Sequence, residues 1–332
     1  MDQELATALQ QKIDSKTKPV GSLGRIEDIA KQVGLLQGTV SPIMQHCRLT
    51  IFAADHGIAE EGVSAFPQEV TAQMVQNFLA GGAAANVFAK CVDVELRVVD
   101  AGTATPVNHP NLNIQRFGAG TANSCSGAAM SAETVEKILI AGGEFGRAGE
   151  VQAVCFGEMG IANTASSALV AHKITGLPID KLVGRGTGLD DAALDHKSKV
   201  LLRAANRTGD LSPRAALQQY GGYEIAMMVG AMQGAASTGR LIIVDGFIAG
   251  VAALCAVALT PEVRGALIFS HMSEEHGHRA VLEYMKVEPL FDLGMRLGEG
   301  TGALLAWPLI KASVAMLNDM ASFEGASISG AV

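Results

Sequence analysis

A chain of 332 residues, 48% of them apolar, can bury a large core as one domain or as a domain with a smaller lobe. Its formal charge of −8, with no dense Lys/Arg block, argues against nucleic acid and anionic membranes as partners. The five scattered cysteines include no CxxC pair, so neither a cysteine zinc site nor a disulfide frame organises the chain, and a reducing cytoplasm is the expected location.

The amino terminus, MDQELATALQQKID, is polar and lacks the apolar segment of a signal peptide. Residues 1–40 predict polar helices interrupted by TKPVGSLGR, where Pro19, Gly21 and Gly24 demand a loop. After Pro42 short apolar runs begin to alternate with helical stretches. The runs are CRLTIFAADHG, VELRVVDAG, VQAVCFGEMG, GRLIIVDGF and GALIFSHMS, each strand-sized and bounded by a turn signal. Between them lie EVTAQMVQNFLAGGAAANVFAK and IANTASSALVAHKIT, which read as helices. That alternation predicts an α/β protein with a parallel sheet flanked by helices. VAALCAVALTPEV, residues 251–263, is too short to cross a bilayer. Helix returns over 301–322, followed by a polar Gly/Ser-rich tail.

Unusual residues concentrate at the strand ends: Asp55-His56, Asp100, Glu158, Asp245 and the cluster Ser270 to His278. Ligands of open parallel sheets bind there, although such residues also serve in turns. GRGTGLDD (184–191) and GEGTGA (298–303) both lack the GxGxxG spacing of a dinucleotide site, and no P-loop is present. VVDAGTAT (98–105) partly resembles the metal-binding loop of phosphoribosyl diphosphate transferases. Asp100 is followed by alanine, however, and Asp245 by glycine, leaving too few carboxylates for magnesium. A phosphoribosyl donor used without metal fits better.

SHMSEEHGH (270–278) offers three readings: metal ligands in no recognised zinc spacing, a phosphate-contacting loop, or capping and packing. In CFGEMGIANTASSAL (155–169) the free N–H groups of a helix opened by Asn163 and Thr164 make an anion site. Glu158 then faces a neutral or cationic part of a ligand, or is a solvated loop residue. No G-x-S-x-G elbow supports hydrolase chemistry. In RLGEGTGALLAWPLI (296–310), Glu299 stands between two glycines ahead of an apolar helix. Each interior glycine costs about 1 kcal/mol of helix stability relative to alanine, and lets a backbone approach something closely. The stretch is either a flexible helix start or a positioned carboxylate.

Taken together, KTKPVGSLGRIE, FAADHGIAEEGVSAFPQEVTAQMVQNFLAGGAAANV, GEMGIANT, GRGTGLDD, FSHMSEEHGH and EPLFDLGMRLGEGTGALLA resemble the nicotinate-nucleotide–dimethylbenzimidazole phosphoribosyltransferase family, from about Lys16 to Phe323. The resemblance implies a Rossmann-like fold with a large α/β domain at 36–295 and a small helical lobe from both termini, 1–35 with 296–332. It implies nicotinate mononucleotide as donor, 5,6-dimethylbenzimidazole or a related base as acceptor, no cofactor or metal, and a homodimer. Glu299 matches the family's general base and Glu158 its second acidic residue. Ser64, Gln73, Met74 and Leu297 are implied to line the benzimidazole pocket. Gly160, Gly186, Lys197 and Ser273 are implied to hold the nucleotide phosphate, with Arg296 and Asp245 nearby. Two other readings stand beside this one: an inactive homologue that binds without transfer, and a nucleoside phosphorylase or hydrolase.

Overall fold

The structure is a computed structural model that describes residues 3–186 and 188–329. Its main strands are β1 (Cys47–Ala54), β2 (Glu95–Gly102), β3 (Leu112–Ile114), β4 (Ala153–Met159), β5 (Leu241–Val244) and β6 (Leu267–Phe269). They form one six-stranded sheet in the order β3-β2-β1-β4-β5-β6, with every neighbouring pair parallel. β7 (His271–Met272) and β8 (Phe291–Asp292) make a second, two-stranded parallel sheet. Five of the main strands are the apolar runs legible in the sequence. β3 is not among those runs: it is three residues long, sits at the sheet edge and exposes Asn113 and Ile114, so it has no apolar signature.

β1 is buried along its whole length because both faces of the sheet are covered. Side chains alternate across a strand. Phe52 and Ala54 therefore join Val99, Phe156 and Val244 in one cluster, with helices Ala132–Arg147, Asn163–Thr175, Tyr223–Ala236 and Phe247–Leu259. Leu49, Ile51 and Ala53 point the other way, into a cluster with Cys155, Ile243 and Trp307. Helices Val70–Ala80, Ala84–Cys91 and Thr301–Asp319 cover that face. The apparently continuous helical stretch after Glu69 is two helices, because Gly81 adopts φ +81° and closes the first.

The chain ends meet. Leu9, Ile13, Ala30 and Leu317 form a separate buried cluster, and the Thr17 N–H donates to the Ala321 carbonyl at 3.0 Å. Helix Thr301–Asp319 belongs to both regions, since its first half packs Ala303, Leu304 and Trp307 under the sheet. Among the described residues no helix is long and apolar enough to cross a membrane.

β1 leads on one side to β2 and on the other to β4, so the connections run in opposite directions from this point. The crevice beyond the carboxyl ends of β1 and β4 is where such a sheet takes ligands.

Candidate active site

A cavity of about 360 Å³ opens at that crevice. Its walls come from the end of β4, the loop after β5, the loop around Ser273 and the segment Arg296–Glu299. Ser64, Met74, Glu158, Gly160, Gly186, Lys197, Asp245, Ser273, Arg296, Leu297 and Glu299 all line it. Gln73 does not: it is exposed, and its neighbour Met74 is the residue of that helix turned to the cavity. The cause is register, because successive residues of a helix point about 100° apart.

At one end, three consecutive residues take left-handed backbone conformations: Gly298 (φ +83°), Glu299 (φ +62°) and Gly300 (φ +80°). A non-glycine residue there is uncommon and stores strain, a feature that clusters at functional sites. The glycines are required by what surrounds them. A Cβ on Gly298 would lie 2.5 Å from Glu158 Oε1, and one on Gly300 would run into the Leu49 side chain. The segment is then pinned to the sheet by Asp245 at the end of β5. Asp245 Oδ2 accepts from Gly300 N at 3.0 Å, and Oδ1 accepts from Gly302 N and Ala303 N at 2.7 and 3.1 Å. Three free amides of the helix start are thereby satisfied by one carboxylate.

Glu299 is 7% exposed, and its Oε2 has no hydrogen-bond partner among the described residues. Burial, with the charge of Asp245 adding to it, pushes the carboxyl up to about 7. Glu158 lies beside it, with Oε1 accepting from the Glu299 N–H at 3.4 Å and Oε2 from the Asn163 amide. Burial, followed by the charges of Glu224, Glu299 and Asp245, holds Glu158 well above the usual carboxyl range. Met74, Phe66 and Leu297 close this end with apolar surface, and Phe66 and Leu297 remain 48% and 55% exposed at the rim.

Another part of the lining carries a buried lysine together with Glu275. Lys197 is 1% exposed, and its Nζ donates to Thr164 Oγ1 at 2.8 Å and to the Gly184 carbonyl at 3.1 Å. Burial lowers its pKa to about 8, with Glu275 opposing the shift. Gly186 (φ +53°) comes close enough that a Cβ would lie 3.6 Å from Lys197 Nζ. Ser273 is fixed from both sides: its N–H donates to His278 Nδ1 at 3.0 Å, and its Oγ accepts from Glu275 N at 3.2 Å. Glu275 Oε1 in turn accepts from the Gly186 N–H at 3.3 Å. The start of helix Asn163–Thr175 faces the same space with Asn163 and Thr164.

Other residues singled out in the sequence have local duties. Asp100 accepts from Gly102 N, Thr103 N and Thr103 Oγ1 and pairs with Arg116 at 2.6 Å, so its carboxylate is taken up within its own loop. The histidines of SHMSEEHGH have separate hydrogen-bond partners: His276 meets the Asp180 carbonyl, His278 accepts from Ser273, and His271 contacts Ser270, while the His271 and His278 rings lie 6.2 Å apart. Capping and packing describe them, while Ser273 and Glu275 reach the cavity.

Known proteins are similar to this chain over nearly its whole length. The family model described as "Phosphoribosyltransferase" matches residues 1–328. A nicotinate-nucleotide–dimethylbenzimidazole phosphoribosyltransferase of Dechloromonas aromatica is 50% identical, over 99% of this chain and 97% of its own length. That of Vibrio cholerae is 46% identical over 99% of both. The crystal structure of CobT from Thermus thermophilus superposes with a TM-score of 0.96 at 39% identity, over 99% of this chain and 100% of that one. The chain belongs to the nicotinate-nucleotide–dimethylbenzimidazole phosphoribosyltransferase family. It is therefore a pentosyltransferase, with the Rossmann-like α/β fold of that family.

Several residues of this phosphoribosyltransferase cavity escape sequence reasoning. Phe66, Val70 and Phe247 line it, yet in sequence they look like ordinary core residues. Glu275 was visible only as part of an acidic and histidine-rich run, with nothing to distinguish it from Glu274. Thr164, by contrast, stands at the helix start that the sequence marks as an anion site, and its hydroxyl meets Lys197 there.

Proposed function

We propose that the enzyme transfers the phosphoribosyl group of nicotinate mononucleotide to 5,6-dimethylbenzimidazole or a related base, giving α-ribazole 5′-phosphate and nicotinate. One observation carries this reading: Glu299, a buried carboxylate raised towards neutrality whose Oε2 has no partner among the described residues, lines the same cavity as apolar Met74 and Leu297 and the buried ammonium of Lys197. The relatives are named for the substrates that match it.

In this reading the donor phosphate lies against Lys197, Ser273 and the Gly186 loop. Glu275 meets ribose hydroxyls, since two anions in contact would repel. The acceptor base lies between Met74, Ser64 and Leu297, with its ring N–H directed at Glu299. Glu299 removes that proton, which raises the electron density of the ring, and the lone pair of the other imidazole nitrogen forms the new bond to C1′. The C1′–N bond to the pyridinium breaks on the opposite face, its electron pair neutralising the departing ring. Attack from the far side converts the β-linked sugar to the α-linked product. A carboxyl raised towards neutrality is the stronger base, and desolvation is what raises it here. Glu158 holds the Glu299 backbone and faces the cationic ring. The division into 36–295 and a lobe of 1–35 with 296–332 belongs to the same reading, and the joined termini support it. So does a homodimer.

Product analysis tests the reaction. Purified enzyme is given nicotinate mononucleotide with and without dimethylbenzimidazole. Nicotinate release only with the base present supports transfer. Release without it would favour a hydrolase, and binding with no release an inactive homologue.

A further inference from the structure

Beyond β1 the chain turns into Asp55 and His56, and His56 is completely enclosed, as is Glu224 opposite it. His56 Nε2 lies 2.7 Å from Glu224 Oε1, and Nδ1 lies 2.8 Å from Ser166 Oγ. The imidazole thus ties helix Asn163–Thr175 to helix Tyr223–Ala236 directly below the crevice. Glu224 Oε2 has no hydrogen-bond partner among the described residues. A buried polar network that leaves one oxygen bare is a poor device for stability alone.

The network touches the ligand-facing loop. Phe52 pairs with Glu158 and Ala53 with Met159 across β1 and β4, which brings His56 beside Gly160. A Cβ on Gly160 would lie 3.1 Å from His56 Nε2 and would clash with the Ala54 carbonyl. The imidazole therefore forms the floor on which Gly160 rests.

We infer that Glu224, held by His56, is a positioning residue for the transfer: the pair fixes the height of the Gly160 loop, and Glu224 acts on Glu158 through its negative charge. This rests on Glu158 being the second acid of the transferase site. Among the charges that raise Glu158, that of Glu224 stands first, ahead of Glu299 and Asp245. Asp55 faces the pair from the end of β1, its own carboxyl raised chiefly by burial. Ser166 and Thr71 bring only hydroxyls, and the remaining charges that act on Glu158, those of Glu299 and Asp245, belong to the cavity lining.

The test follows the Glu158 carboxyl directly, by infrared or carbon-13 titration, with its signal assigned from its loss in Glu158→Gln. In Glu224→Gln, Glu158 should titrate lower by on the order of one pH unit, since a neighbouring like charge has gone. An unmoved Glu158 in the folded variant overturns the inference, whatever happens to turnover. If Glu224→Gln does not fold, Glu224→Asp draws the carboxylate back by one methylene and should lower the Glu158 titration by a smaller amount; an unmoved Glu158 there also overturns it. Failure of the transferase reading would show separately, as a parent enzyme that releases no nicotinate while its carboxyls titrate as described.

Discussion

Replacing Lys197 by methionine should make the free enzyme more stable at pH 7 and a worse binder of its donor. The buried ammonium has a pKa of about 8 against an ordinary 10.5, a difference worth about 3 kcal/mol. The folded value lies below the unfolded one, so the native chain binds fewer protons between pH 8 and 10.5. Stability then rises with pH across that window, and the whole cost is carried below it, pH 7 included. Methionine keeps the bulk and removes the charge, giving up the hydrogen bonds to Thr164 and Gly184 at about 1 kcal/mol each. The net expectation is a gain of about 1 kcal/mol at pH 7, turning into a loss of about 1 kcal/mol by pH 10 as the cost of burying the charge falls below that of the lost hydrogen bonds. If the ammonium makes a charged hydrogen bond to the donor phosphate, its removal weakens donor binding by about 1.5–3 kcal/mol. Urea unfolding at pH 7 and 10, with calorimetric titration of nicotinate mononucleotide, reads both effects. A variant destabilised at pH 7 with unchanged donor affinity would refute the reasoning and make Lys197 a structural pin between Thr164 and Gly184.

Gly298→Ala places a side chain at φ +83° and a methyl 2.5 Å from Glu158 Oε1, so it should cost about 1–2 kcal/mol in urea unfolding. Displacing the Glu299 segment should also lower turnover on the order of 10²-fold; parent-like turnover would show that the close approach has no catalytic purpose. Dialysis against a chelator should leave turnover intact, since the Asp100 and Asp245 carboxylates are committed to backbone amides and, for Asp100, to Arg116. Activity lost and then restored by magnesium would contradict this. Gln73→Ala should leave the KM for the base unchanged within a factor of two or so, because the side chain is exposed outside the cavity; a large rise would return Gln73 to the pocket.

The sheet was legible because apolar runs such as CRLTIFAA end in turn residues, and a fully covered strand needs both properties. Strand order was not, since nothing local to β4 says that it returns to the side of β1 away from β2. Glu299 could be singled out because its flanking glycines work against helix formation and so demand another explanation. Its left-handed backbone could not be read in advance, because glutamate rarely adopts it. Met74 and Gln73 are adjacent, and only the true helix phase tells which one faces the ligand. Glu224 hides in GGYEIAMMVG, where an acidic residue at a helix start looks like ordinary dipole compensation. Its pairing with His56, 168 residues away, exists only once the sheet is assembled.

The central claim is that Glu299 takes the acceptor's proton, and turnover of Glu299→Gln across pH measures it most directly. Nicotinate release is followed with saturating dimethylbenzimidazole from pH 5 to 9, in parent and variant. The parent rate should rise through the region near pH 7 where this carboxyl ionises. The variant, with the shape kept and the base removed, should bind both substrates and turn over roughly 10²–10⁴-fold more slowly, with that rise abolished. A variant within a factor of a few of the parent, still rising through the same pH range, would contradict the claim and give the proton to Glu158 or water.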